Sequence, residues 1–220
     1  MSELVGFEAW ADLAGDSPTS RTEWAFLVAA WSEPHRRYHD LAHLAAVLGL
    51  VGRLADAASD ADAVRLAAWY HDVAYDPERS DNEQVSAARA RAGLTGLVPD
   101  ARVDEVERLV LLTTGHDAEP GDANGAVLCD ADLAVLASPP EGYAAYASAV
   151  RAEYCHLSDP EFTTGRIAVL ERLLALSQLY RLPAVAADWT PRARANLTAE
   201  LGLLRARAAS GDGAPPPAAG

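Results

Sequence analysis

The sequence predicts an all-α protein, and three observations carry that reading. Apolar residues recur at helical spacing through most of the chain, no run of four or more residues alternates as a half-buried strand requires, and prolines and polar loops divide the pattern into helix-sized segments. The first helix is expected over 20–34, with Ser20 as N-cap and Trp24, Leu27, Val28 and Trp31 on its apolar side. A second covers 38–57 and carries Leu41, Leu44, Val47, Leu48 and Val51. A third starts at Ala61 behind Asp60 as its cap, places Val64, Ala67, Ala68 and Tyr70, and ends near Tyr75-Asp76-Pro77, where proline stops it. Helices follow over 82–94 and over 103–116, the latter with Val106, Leu109, Val110 and Leu112 spaced for burial. After a polar loop at 119–125, a short helix over 128–136 ends at Pro139-Pro140. Helices over 143–154, 160–179 and 191–208, the last capped by Thr190, complete the set. With no repeat and no linker, the chain reads as one helical domain over 21–208, with residues 1–20 as a lead-in. Residues 209–220 form a tail that lacks an apolar anchor and is expected to be disordered.

Composition narrows the function. The 220 residues are 50% hydrophobic and 23% charged, enough apolar material for a sizeable core. A net charge of −14 and a pI near 4.7 make the average surface repel phosphate backbones and anionic membranes, so nucleic acid is not an expected partner. No apolar stretch reaches the roughly 18 residues of a membrane span, and the acidic start Met1-Ser2-Glu3 lacks the basic segment of a secretory signal, so a cytoplasmic location is expected. Cys129 and Cys155 form no CxxC pattern, which leaves His and carboxylate as the ligands for any metal. The basic residues are all arginine, which excludes a lysine Schiff base and a Walker-type phosphate lysine.

Five of the six histidines, His35, His39, His43, His71 and His116, lie in the stretch that also holds Asp72, Asp130 and Asp132. His39 and His43 are four apart and would share a helix face, whereas His71 and Asp72 diverge by about 100° at the end of the third helix. Asp132 stands with Asp130 in the otherwise apolar segment Leu128-Cys-Asp-Ala-Asp-Leu133, where a buried acid is costly unless it is paired or binds a cation. Mixed imidazole and carboxylate donors suit Mn²⁺, Fe²⁺, Co²⁺, Ni²⁺ or Zn²⁺ better than Ca²⁺.

At these residues the sequence resembles the HD-domain superfamily of metal-dependent phosphohydrolases. The elements that carry the likeness are His39-Asp-Leu-Ala-His43, Trp69-Tyr-His71-Asp72-Val-Ala-Tyr75-Asp76 and Asp130-Ala-Asp132-Leu133, in the order H…HD…D. A small bacterial branch of predicted HD phosphohydrolases is closer. It shares Tyr38 to His43, His71 to Tyr75, Asn82-Glu83, Thr113-Thr-Gly-His116 and Asp130 to Leu133. The likeness spans about residues 21–179 and implies a single HD-type helical domain.

The resemblance implies metal ligation by His43, His71, Asp72 and Asp132, the ion being Mn, Fe, Co, Ni, Zn or Mg. The family's pattern favours His43 over His39 and Asp132 over Asp130. It leaves His39, with Arg36, Arg37, Glu83 and His116, as groups around a small phosphorylated substrate, a phosphate ester or a nucleotide, attacked by metal-activated water. Each of these helpers has a plainer reading. Arg36 and Arg37 suit an anion clamp or a solvated surface, Glu83 a base or holder of His71 or simply a first-turn glutamate, and His116 a phosphate or second-metal contact or a helix-end histidine. Two other functions stay open: a metal- and nucleotide-binding sensor without turnover, and a dinuclear iron oxygenase of HD type. The sequence also leaves a homo-oligomer open.

Overall fold

The computed structural model describes residues 3–210, and among them the architecture is all α-helical. Ten helices follow in order: α1 (Phe7–Ala14), α2 (Pro18–Trp31), α3 (Leu41–Arg53), α4 (Ala61–Tyr70), α5 (Asn82–Leu94), α6 (Asp100–Leu112), α7 (Ala123–Asp132), α8 (Pro140–Glu153), α9 (Asp159–Ala175) and α10 (Pro183–Ser210). None is long and apolar enough to cross a membrane. Most of the expected tail, residues 211–220, lies outside the described residues, and Ser210 is still helical.

The helices gather into two compact units, the first comprising Met1–Leu133 with Tyr180–Leu182 and the second Ala134–Leu179 with Pro183–Gly220. The boundary falls inside the helical turn after α7, so no change of composition marks it in the sequence.

In the first unit, α4 and α7 are the central helices. Ala63, Val64, Leu66, Ala67, Ala68, Trp69 and Tyr70 of α4 are all buried, as is α7 from Asn124 to Ala131. A helix apolar on nearly every side must be enclosed, and α4 packs against α3, α5, α6 and α7. Both central helices begin at one polar lock. The Oδ1 of Asn124 accepts from the Ser59 backbone N–H (2.9 Å), the Ser59 hydroxyl (3.0 Å) and the Asp60 N–H (2.9 Å), and its amide donates to Glu105 on α6 (2.8 Å). Asp60 then caps α4 by accepting from Ala63 N–H (3.0 Å), and Asp122 caps α7 by accepting from Gly125 N–H (2.9 Å).

Several expected boundaries move. The lead-in contains α1, and Ser17, followed by Pro18, caps α2 by accepting from Ser20 N–H (3.1 Å). Ser20 is instead a buried residue of the first turn whose hydroxyl accepts from the Trp10 indole (2.9 Å). Asp40 caps α3, accepting from Ala42 N–H (2.8 Å) and His43 N–H (3.2 Å), so the second helix starts three residues later than expected. The third stops at Tyr70, before the proline, and α6 ends at Leu112, four residues short of His116. Helix α10 begins at Pro183 and runs through Pro191, so Thr190 is not its cap. The proline lacks the N–H that would have met the Ala187 carbonyl, yet the helix continues past it.

The second unit holds α8, α9 and α10. Arg166 is buried on α9 and grips Glu200 of α10 through two bonds (2.8 and 3.0 Å), while the Tyr143 hydroxyl of α8 also donates to Glu200. One carboxylate therefore joins all three helices around Val150, Leu170, Leu197 and Leu201.

Replacing Asn124 by Ala leaves the Ser59 and Asp60 N–H groups without their acceptor. The expected loss of stability is about 1 to 3 kcal/mol in urea unfolding of the full chain.

Candidate metal centre

Three buried or nearly buried side chains, each from a different helix, converge within the first unit. His43 sits in the first turn of α3, His71 is the C-cap of α4, and Asp132 is the last residue of α7. His43 Nε2 lies 3.2 Å from His71 Nε2 and 3.1 Å from Asp132 Oδ1, and His71 Nε2 lies 3.4 Å from the same oxygen. Donors held about 2.1 Å from one divalent ion, at octahedral to tetrahedral angles, are themselves roughly 3.0 to 3.4 Å apart, so the three atoms form a triangle of the size such an ion needs. His71 Nδ1 is 2.8 Å from the Ala68 carbonyl; donating its N–H there, the ring turns the Nε2 lone pair toward the triangle. Two helix C-termini, α4 and α7, point their partial negative charge at this place, which favours a cation.

Electrostatics agree with the geometry. Burial pushes the His43 imidazole below its usual range, more than the Asp132 carboxylate restores it. Burial opposes the charge on His71 as well, but Asp72 and Asp132 outweigh it and raise this group to about 9. Burial would raise Asp132, yet His71, His116 and His43 around it hold the carboxylate well below the ordinary range. In the metal-free protein, the proton on His71 therefore balances the buried carboxylate.

Tryptophan 31, the last residue of α2, packs its ring 5.3 Å from His71 and 6.2 Å from His43, and its indole N–H donates to the Trp69 carbonyl (2.9 Å). It supplies the apolar wall of the site. Its helical spacing marks it as core, and nothing in the sequence marks that the core there includes two imidazoles.

The remaining expected residues take varied places. Asp72 is the rim group, with Oδ2 3.3 Å from His71 Nε2, and it is outside the triangle. Asp130 is fully buried and faces elsewhere, accepting from the Arg181 N–H (2.8 Å) and the Leu182 N–H (2.8 Å). Burial raises it to about 6 against those two bonds. His39 precedes the Asp40 cap and so does not share a helix face with His43. Its ring stacks on Tyr75 (4.3 Å) and meets the edge of Tyr38 (4.9 Å). His35 also reaches Tyr75, with Nε2 2.8 Å from its carbonyl oxygen. Arg37 is exposed on the same loop. Glu83 is half-buried in the first turn of α5, and among the described residues no hydrogen bond or ion pair joins it to the cluster. His116 places Nε2 2.7 Å from Asp132 Oδ2.

Arg36 departs most from expectation. Its side chain is fully buried, with Nη1 donating to the carbonyls of His39 and Asp72 (both 2.9 Å), Nη2 to that of Val73 (3.0 Å), and Nε to Glu33 (3.1 Å). The guanidinium lies against Trp31 and Tyr75. It is a clip between the loop that leads into α3 and the turn that carries His71 and Asp72, and it is not an anion clamp.

No family model, no curated protein and no solved structure matches the chain.

Two outcomes are expected. Arg36→Lys keeps the charge but cannot reach three carbonyls together, and should lower stability by roughly 2 to 3 kcal/mol in chemical denaturation. The raised His71 group makes its contribution to the metal-free fold complete below its unfolded value of 6.5, with loss as pH rises through about 9. The urea midpoint should accordingly fall between pH 6.5 and 9 in chelator, and His71→Gln should remove that component of the slope.

Proposed function

We propose that this protein is a metal-dependent phosphohydrolase that cleaves a small phosphate ester or nucleotide with metal-activated water. The observation that carries the reading is the buried triangle of His43 Nε2, His71 Nε2 and Asp132 Oδ1, at 3.1 to 3.4 Å, with His71 oriented by the Ala68 carbonyl. His43, His71 and Asp132 would hold one divalent ion, with Asp72 at the rim beside His71. When bound there, such an ion lowers the pKa of a coordinated water and polarises a phosphoryl oxygen. The order H…HD…D in the sequence supports the same chemistry.

The chain's own groups do the rest. Trp31 walls off the imidazoles and excludes water from behind the triangle. Arg37 and His39 stand on the loop before α3, where a guanidinium and an imidazole can neutralise an incoming phosphate. Tyr75 supports His39 by stacking, and Arg36 fixes the loop through the His39 carbonyl. His71, freed of its extra proton by a bound cation, keeps its N–H on Ala68 and remains oriented.

Metal analysis of the purified protein, with a screen of phosphomonoesters and nucleotides under Mn²⁺, Co²⁺, Ni²⁺ or Mg²⁺, tests the reading. Phosphate or pyrophosphate release that EDTA abolishes is expected. His43→Ala, His71→Ala and Asp132→Asn should lose the ion, whereas Arg37→Ala and His39→Ala should keep it and lose turnover by roughly tenfold to a thousandfold. Tight nucleotide binding without turnover under every metal would replace the enzyme with a sensor, and oxygen uptake by iron-loaded protein would replace it with an oxygenase.

A further inference from the structure

Among the described residues, His116 is the only non-glycine with a positive φ, 53°. The chain winds on past α6 through Thr113, Thr114 and Gly115, and His116 ends the winding with its N–H on the Leu112 carbonyl (3.0 Å). A left-handed residue at such a point is commonly glycine, which takes the conformation without strain. Here a glycine stands one position earlier, at 115, and the imidazole occupies the strained position. The loop is pinned on both sides of it. Thr113 is buried with its hydroxyl on the Val110 carbonyl (2.7 Å), and Ala118 is buried two residues beyond. That backbone delivers Nε2 to 2.7 Å from Asp132 Oδ2, while Oδ1 of the same carboxylate faces His43 and His71.

We infer that His116 is a positioning residue of the metal centre, holding the outer oxygen of Asp132 so that only the inner oxygen faces the ion. The inference rests on the metal reading above. A carboxylate with one oxygen engaged by an N–H donor binds an ion through the other alone, and the coordination positions that a chelating carboxylate would fill stay open to water and phosphate. The strained backbone serves this contact, because the side chain reaches Asp132 from a position where glycine would be easier. His116 thus acts through Asp132 and is neither a ligand nor a substrate contact.

The test is Co²⁺ titration of the full chain, read by visible absorption and by chelator competition, with thermal unfolding of the metal-free proteins. His116→Ala and His116→Gly should weaken Co²⁺ binding roughly tenfold to a hundredfold. Metal-free His116→Gly should melt no lower than His116→Ala, since glycine relieves the positive φ. His116→Gln, whose amide can donate to Oδ2, should recover part of the affinity. Wild-type affinity in His116→Gly, or a loss in His116→Ala as complete as in Asp132→Asn, would overturn the inference, the second by making His116 a ligand. Absence of Co²⁺ binding by the wild-type chain would overturn the metal reading and this inference together, whereas unchanged variants beside a binding wild type would overturn this inference alone.

Discussion

The carboxylate of Asp132 is the constraint around which the first unit is arranged. It ends a helix that is buried along almost its whole length, at a C-terminus whose own partial charge is negative, so an isolated anion there would be strongly unfavourable. Three imidazoles answer it: His43 and His71 at the inner oxygen and His116 at the outer one. The proton that makes this tolerable without a cation sits on His71, raised by Asp72 and Asp132 together. Under the proposed function, a divalent ion would replace that proton with a larger charge in the same place. Folding and the proposed ion binding would then draw on one set of electrostatic interactions.

Reaching this geometry requires that helices distant in sequence agree in length as well as direction. Asn124 ties the starts of α4 and α7 together, and each helix has ten residues from Ala61 to Tyr70 and from Ala123 to Asp132, so their far ends arrive together. The third donor comes from the opposite kind of helix end. Asp40 caps α3 so that His43 falls in its first turn, and Arg36 binds the preceding loop to the turn after α4. The site is thus built at helix termini, where side chains can converge without a clash of backbones.

The sequence carried the all-α architecture and the place of most helices because their apolar period is long and regular. α5 falls within 82–94 as expected, and Asp60 caps α4. Caps were legible only where a single candidate preceded the apolar run. At the start of α2, both Ser17 and Ser20 are acceptable residues, and only the Trp10 indole decides between them. Helix α1, at eight residues, is too short to set up a clear apolar period, and Pro191 does not stop α10. In the site, the family resemblance pointed to His43, His71, Asp72 and Asp132, and the structure brings donor atoms of His43, His71 and Asp132 together. The meaning of Arg36 was not, since a buried guanidinium bound to three carbonyls and an exposed one waiting for phosphate look alike in sequence. Trp31 was equally hidden, because core and site wall share one period.

The two aspartates of Asp130-Ala-Asp132 look in different directions, and the one that turns away depends on a segment made much later in the chain. Asp130 needs the N–H groups of Arg181 and Leu182, and the Leu133 carbonyl receives the Tyr180 hydroxyl (2.9 Å). A ribosome that has just finished α7 has therefore made every donor of the triangle while leaving a buried carboxylate beside it unsatisfied. Everything from Ala134 to Leu179 must emerge before the short strap of 180–182 can return and close that gap. Order along the chain and order in space are decoupled here: the groups that satisfy Asp130 lie about fifty residues downstream of it.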